Sequence, residues 1–119
     1  MSGRDLNYLR HILDAIARIE EYTADGRDAF HRSAMVQDAV VRNIEIVGEA
    51  VKGLSDELKL GHPLIPWSLI GRMRDKLIHH YFGVDIDLVW EVVARHLPPL
   101  RREVEAILAE ARGPGLPQA

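Results

Sequence analysis

Apolar residues recur at intervals of three and four positions along most of this chain, and this pattern constrains its fold more than any other feature. The first run contains Leu9, Ile12, Leu13, Ile16 and Ile19. This spacing places all of them on one side of an α-helix, which has about 3.6 residues per turn. The pattern recurs in four long runs and predicts an all-α fold, an antiparallel bundle of four long helices with short extra helices.

Prolines, glycines and capping residues divide the pattern into segments. They predict long helices at residues 5–24, 28–54 and 66–83, and a fourth that starts near Asp85. Residues 55–63 are predicted to form a short irregular or helical link, with Ser55 able to cap a helix. Pro98 and Pro99 should kink or split the fourth helix. We expect one domain at residues 1–112 and a flexible tail at 113–119, where no apolar period continues.

Length and composition limit the class of protein. A chain of 119 residues, 47% of them apolar, can build one core but is short for two. No apolar run approaches the roughly 20 residues that cross a bilayer, and the N-terminal MSGRDLNYLR lacks a signal-peptide core. The absence of cysteine excludes disulfides, thiolate metal sites and cysteine nucleophiles. We expect a cytoplasmic protein that does not contact a membrane.

The net charge of -3 bears on nucleic-acid binding. Nonspecific binding of nucleic acid usually requires a basic domain, because Lys and Arg must contact many phosphates. We therefore expect no DNA binding, and any RNA would be held by a local cluster of cations. The candidates are Arg72, Arg74 and Lys76, with Arg95, Arg101 and Arg102 as further members.

Residues 72–87, RMRDKLIHHYFGVDID, bring a guanidinium, two imidazoles, a phenol and several carboxylates into a few turns. On a regular helix Arg74 and Tyr81 would lie on the same side, whereas His79 would lie roughly 140° away from Arg74. Two arrangements could still bring Arg74 and His79 together. Either the helix distorts before Gly83, a residue suited to a left-handed helix stop, or a second chain completes a shared cleft.

The same residues carry a resemblance to a known family. Arg74, His79 and Tyr81 fit the R-x4-H-x-Y signature of the HepT-like toxins, in the HEPN superfamily of small helical ribonucleases. The flanking sequences are also similar: VRNIEIVGEA from Val41, IPW from Ile65, VDIDLVW from Val84 and LPPL from Leu97. The resemblance covers most of the chain and implies a HEPN-like helical bundle that cleaves RNA without a metal ion.

The resemblance also implies roles for individual residues. His79 would act as the general base, since histidine changes charge near neutral pH. Arg74 would hold the scissile phosphate and offset the charge that develops on it. Asp75 stands where the family often has Asn, which we interpret as a tolerated polar replacement. His80 is expected to be a core-edge histidine bonded to the backbone, with the role of general acid as the alternative.

Two residues of the second helix are candidates for supporting the site. Asn43 falls within an apolar stripe, where an unpartnered amide would cost roughly 1 to 3 kcal/mol. It either bonds to the backbone or a neighbouring helix, or lies beside Arg74 and orients it. Arg42 could pair with the helix that carries Arg74 or with a second subunit, although a surface salt bridge is the simpler expectation.

Tyr81 has a different implied role. In the HepT-like family a minimal nucleotidyltransferase antitoxin transfers AMP from ATP to this tyrosine and silences the toxin. Added phosphate charge near Arg74 would block the place of the RNA phosphate. The expected partners are therefore this nucleotidyltransferase, an RNA substrate and a second copy of the chain, because the family forms a composite cleft between two subunits.

Other chemistries fit the sequence less well. The rings of the adjacent His79 and His80 would diverge on a helix, and no ligand partner at helical spacing completes a metal site. Ser68 lies at a helix start without a nucleophile elbow, which disfavours a Ser-His-Asp hydrolase. We expect neither a metal nor a cofactor. The alternative to the nuclease is a noncatalytic helical subunit that binds a nucleotidyltransferase and presents its substrate.

Overall fold

The computed structural model describes residues 1–79 and 83–112, and it is all-α apart from two short strands. The elements are α1 (Gly3–Tyr22), α2 (Arg27–Arg32), α3 (Ala34–Gly53), α4 (Asp56–Gly61), α5 (Trp67–Gly71), α6 (Met73–Leu77), β1 (Ile78–His79), β2 (Gly83–Val84), α7 (Ile86–Glu91), a π-helix (Val92–His96) and α8 (Leu97–Arg112). The predicted all-α class is confirmed. The predicted tail, 113–119, lies outside the described residues.

The core lies where α1 and α3 pack against each other; α5 and α6 pack on α3, and α8 packs on α1. In α1, the predicted residues Leu9, Ile12, Ile16 and Ile19 are all buried. α3 and α5 lie close together, since a Cβ on Gly48 would be 3.4 Å from the Gly71 carbonyl oxygen. The helical periodicity therefore identified the core face correctly.

The predicted helix at residues 28–54 is two helices, which is a correction to the sequence analysis. Ser33 interrupts it with an extended backbone, φ -123° and ψ 104°, and its hydroxyl accepts the Val36 N–H at 3.2 Å. The Gln37 side chain then donates to the carbonyls of Phe30 and His31 at the end of α2. These bonds replace those that a continuous helix would make, so the break is locally stabilised.

The predicted helix at residues 66–83 is also wrong in its extent. It is interrupted at Arg72 and ends at Leu77, after which β1 pairs antiparallel with β2 through Ile78 with Val84 and His79 with Gly83. Gly83 has φ 78°, a conformation that favours glycine. The helix therefore ends before Gly83, and the helical angles between Arg74 and residues beyond Leu77 do not apply. That Arg74 and His79 meet in one site stays a prediction.

The fourth element begins as predicted, because the Asp85 side chain accepts the Leu88 N–H at 3.1 Å and caps α7. It is split by the π-helix, one turn before Pro98 and Pro99. A proline ring collides with the carbonyl four residues earlier in an α-helix. For these two prolines those carbonyls belong to Ala94 and Arg95, so the wider π-helix lies where the collisions would occur.

Asp5 and Ser55 join the start of α1 to the start of α4. The Asp5 side chain is buried and accepts the Ser55 N–H at 2.8 Å and the Ser55 hydroxyl at 2.6 Å. Burial raises the pKa of Asp5, but the hydrogen bonds from Ser55 outweigh it and the net pKa is lowered from 3.8. Ser55 also accepts the Leu58 N–H at 3.2 Å, which confirms its predicted capping role.

Within residues 1–79 and 83–112, no helix combines the length and the apolar character needed to span a membrane.

Candidate active site

Arg74 lies on α6, which the buried side chains of Met73 and Leu77 hold against α3 and α7. Its own side chain is 51% exposed. The Nε atom is 3.4 Å from Oε2 of Glu45 on α3, and Nη1 is 3.7 Å from Oδ1 of the neighbouring Asp75. Two carboxylates therefore hold the guanidinium while half of its surface stays open to a ligand.

Glu45 is a residue that the sequence analysis missed. Its side chain is 26% exposed, and the same Oε2 that meets Arg74 lies 3.9 Å from Nη1 of Arg42. The available signal was its position three residues after Arg42, the spacing of neighbours on a helix surface. That spacing predicts the pair with Arg42 but not the contact with Arg74, which depends on how α6 packs on α3.

Arg42 forms the surface ion pair that was the simpler of its two expected arrangements. Its side chain is 70% exposed, and the partner is Glu45 on the same helix. Glu49 pairs in the same way with Lys52 at 3.7 Å. Since Glu45 also contacts Arg74, Arg42 is nevertheless linked to the helix that carries Arg74.

Asn43 is buried and bonded as the first of its two alternatives describes. Its Nδ2 donates to the Ala39 carbonyl at 2.9 Å, and its Oδ1 accepts from Nε of Arg18 on α1 at 2.7 Å. Two positions along a helix correspond to about 160° around its axis, so Asn43 and Glu45 point to opposite flanks of α3. Asn43 therefore orients Arg18 and not Arg74.

The remaining signature residues fall partly or wholly outside the described residues. The backbone of His79 lies in β1, paired with Gly83, but its side chain is not described. His80 and Tyr81 both lie outside the described residues. The roles of these three side chains therefore stay predictions. By sequence, residues 80–82 join the two strands directly after α6, which ends three residues after Arg74.

A charged contact that the sequence did not predict joins α2 to α7. In His31, Nδ1 lies 2.9 Å from the Arg27 carbonyl oxygen and Nε2 lies 2.9 Å from Oδ1 of Asp87. Both partners are hydrogen-bond acceptors, so both bonds form only when the ring carries two protons. The bonds to Asp87 and to the Arg27 carbonyl raise the pKa of His31 above 6.5. Both contacts favour the protonated ring, so this histidine is poorly suited to act as a general base.

Among the side chains that the structure describes, no three histidines or carboxylates converge on a point where a metal ion could sit.

An apolar groove of about 560 Å³ opens between α5–α6 and the helices that follow β2. Its walls include Leu69, Ile70 and Met73 on one side and Leu88, Val92 and Leu100 on the other. At its edge Leu64 is 98% exposed, and Leu69 is 43% exposed. The groove exists because α5 packs on α3 and α8 packs on α1, whereas α5 and α8 make at most marginal contact with each other.

Comparison with known proteins gives the family. The model of the family described as Ribonuclease HepT-like matches residues 12–107, most of the chain and every signature residue. The chain belongs to the Ribonuclease HepT-like family. The family resemblance inferred from the signature is thereby confirmed.

Individual relatives agree with this assignment. A probable ribonuclease HepT of Thermococcus cleftensis is 43% identical over 102 residues, which cover 85% of this chain and 93% of that protein. A candidate RNase of Caldanaerobacter subterraneus subsp. tengcongensis is 40% identical over 106 residues, with 88% and 95% covered.

A third relative is much longer. A Methanocaldococcus jannaschii protein, named as a gamma-glutamylcyclotransferase and candidate RNase, is 50% identical over 104 residues. The match covers 87% of this chain but only 47% of that protein, so the chain spans about half of its length. No solved structure gave a significant match.

Proposed function

We propose that this protein is a metal-independent endoribonuclease, the toxin of a toxin-antitoxin system, and that a nucleotidyltransferase partner silences it by transferring AMP to Tyr81. The observation that carries the proposal is the Arg74 guanidinium, held by Glu45 and half exposed, five residues before His79 in a chain of this family. Three relatives whose names include ribonuclease activity support the same class of reaction.

The proposed reaction needs two groups on the protein. His79 takes the proton of a ribose 2′-hydroxyl, and the resulting oxygen attacks the adjacent phosphorus. The bond from phosphorus to the 5′-oxygen of the next nucleotide breaks, and that oxygen takes up a proton from water. Arg74 donates two hydrogen bonds to the phosphate oxygens and offsets their growing charge. The products are a 2′,3′-cyclic phosphate and a free 5′-hydroxyl.

The test is the cleavage of a labelled RNA by the purified protein and by two histidine variants. His79→Ala should lower the rate by about 10² to 10⁴, the usual contribution of a general base. His11→Ala, at an exposed position of α1, is the matched control and should cleave as the wild type does. Unchanged cleavage by His79→Ala would show that the base is another group. A wild-type chain that binds the nucleotidyltransferase but cleaves no RNA would favour the noncatalytic subunit.

The silencing step is the attack of the Tyr81 phenol oxygen on the α-phosphorus of ATP, which releases pyrophosphate and the phenol proton. The phosphodiester left on Tyr81 carries a negative charge that can pair with the Arg74 guanidinium and exclude the RNA phosphate. Tyr81→Phe should therefore keep ribonuclease activity, gain no AMP mass when the partner is present, and stay active. Tyr22→Phe, at a tyrosine that is 38% exposed on α1, is the control and should be modified and silenced as the wild type is. Modification of the Tyr81→Phe protein would identify a different acceptor.

We also propose that two copies of the chain pair through the apolar groove. Its rim carries Lys76 and Arg95 together with Glu91 and Glu103, so cations and anions are balanced. Such a surface can match a second copy of itself across a two-fold axis, where each residue meets a different residue of the partner. The exposed Leu64 of each copy would enter the groove of the other. The balanced charge also makes the groove a poor surface for RNA.

A further inference from the structure

Three arginines from three different helices border α3: Arg18 bonds to Asn43, Arg74 contacts Glu45, and Arg42 belongs to α3 itself. We propose that Arg18, Arg42 and Arg74 form a track, here called the arginine track, that holds the backbone of single-stranded RNA. The proposal rests on the proposed ribonuclease function and names where its substrate lies. In this proposal the segment Arg42–Glu45 of α3 takes part in substrate binding, which its sequence alone did not reveal.

Arg18 supplies one end of the track. Its Nε donates to Oδ1 of Asn43 at 2.7 Å, and the Asn43 amide is itself fixed by its bond to the Ala39 carbonyl. In the part of the chain that the structure describes, no carboxylate lies within 4.0 Å of this guanidinium. Among the described residues its two terminal nitrogens make no hydrogen bond, and a guanidinium with two such nitrogens suits two-point recognition of a phosphate.

Arg74 supplies the other end, and Arg42 lies between the two. Around the axis of α3, Arg42 is about 100° from Asn43 and Glu45 is about 160° from Asn43 in the same direction. Arg42 thus occupies the solvent side, between the flank that holds Arg18 and the flank that holds Arg74. Because Glu45 contacts both Arg42 and Arg74, at 3.9 and 3.4 Å, these two guanidinium groups are close neighbours.

The charge and the size of the track suit a short stretch of RNA. Two carboxylates contact the track among the described residues: Glu45 meets Arg42 and Arg74, and Asp75 meets Arg74. The three guanidinium groups therefore outnumber their acidic partners by one, on a chain whose net charge is -3. Its ends lie on opposite flanks of one helix, on the order of 15 Å apart for a helix about 10 to 12 Å wide with its side chains. That distance corresponds to a few nucleotides of backbone. Asp38, one turn before Arg42, limits the track to a narrow strip.

The test measures the salt dependence of RNA binding. A fluorescent single-stranded RNA is titrated with His79→Ala protein, which should not cut it, at several salt concentrations. Each lost phosphate contact should reduce the slope of log Kd against log salt by about 0.7. We expect this reduction when the His79→Ala protein also carries Arg18→Gln or Arg42→Gln. Arg10→Gln removes the same charge from an exposed position of α1 and is the matched control, with no expected change in slope.

The possible outcomes separate the track from the proposed function. If the wild type cleaves RNA and both Gln variants match Arg10→Gln, the track is wrong and the ribonuclease proposal stands. If the wild type neither binds nor cleaves RNA, both proposals fail. Arg42 is 70% exposed, so the Arg42→Gln protein should fold. If the Arg18→Gln protein does not fold, the result for Arg42→Gln alone decides the test. Loss of slope in both variants supports the track, and in Arg42→Gln, where only an exposed ion pair is removed, it should occur with an unchanged melting temperature.

Discussion

Glu45→Gln is the change that tests most sharply how the site is built, because it removes a charge and almost no volume. In the structure Glu45 is the only residue of α3 that forms an ion pair with Arg74 among the described residues. The substitution leaves the core unchanged, since the side chain is 26% exposed and faces the two arginines. Arg74 would then be held by Asp75 alone, at 3.7 Å.

The expected magnitudes differ for stability and for catalysis. The two ion pairs of Glu45 are partly exposed and long, so their loss should cost about 1 kcal/mol or less. An unrestrained arginine side chain carries about 2 kcal/mol of rotamer entropy. The contact with Glu45 already restricts the Arg74 rotamers in the free protein, so less entropy is lost when RNA binds. A loss of roughly 1 to 1.5 kcal/mol in the transition state corresponds to about a tenfold lower kcat. KM should stay the same or fall, because one negative charge near the RNA phosphate is gone.

The assay is steady-state cleavage of a labelled RNA, with kcat and KM measured separately, alongside urea unfolding. Glu49→Gln is the matched control, because it removes the same charge one turn later, where the side chain is 74% exposed and pairs with Lys52. It should change KM at most. If Glu49→Gln lowers kcat as much as Glu45→Gln does, or if Glu45→Gln leaves kcat unchanged, Glu45 does not position Arg74.

Three further predictions concern pH, stability and assembly. The pKa of His31 is raised in the folded state, so the stabilisation from its bond to Asp87 should be complete below pH 6.5 and disappear as pH rises through the raised value. Urea unfolding of wild type and Asp87→Asn should therefore converge at high pH, and a difference that grows with pH would contradict this. Asp5→Ala removes two hydrogen bonds to Ser55 and should destabilise the protein by about 2 to 4 kcal/mol at pH 7. Because the pKa of Asp5 is lowered, that difference should be present above pH 3.8 and vanish as pH falls further, and a loss under about 0.5 kcal/mol would show that the bonds contribute little. Leu69→Glu should convert the proposed dimer to monomers in sedimentation experiments, since it places a charge in the groove, whereas a dimer that persists would place the interface elsewhere.

Local sequence determined those parts of the fold that could be predicted. The buried residues Leu9, Ile12, Ile16 and Ile19 of α1 follow from spacing alone. The Ser55 cap follows from a short polar side chain before a helical segment, which for α7 left Asp85 and Asp87 as alternatives. Each of these features depends on residues within a few positions of one another. Ser33 is also a good capping residue, but the apolar pattern continued on both sides of it and concealed the break between α2 and α3.

The parts that could not be predicted depend on contacts between distant residues. The helix that carries Arg74 ends at Leu77 because β1 pairs with β2 and the Asp85 N–H bonds to the Leu77 carbonyl at 2.9 Å. No local feature of residues 72–79 requires that end. The partner of Asn43 on α1 lies 25 residues away in sequence. An apolar stripe can show that a polar residue needs a partner, but only packing decides which one.

The most direct test of metal-independent RNA cleavage is the chemistry of the RNA ends left by the purified protein in the presence of a metal chelator. We predict cleavage under these conditions, with a 2′,3′-cyclic phosphate on one product and a 5′-hydroxyl on the other. Cleavage that stops with the chelator, or products that carry a 5′-phosphate, would contradict the roles given to Arg74 and His79.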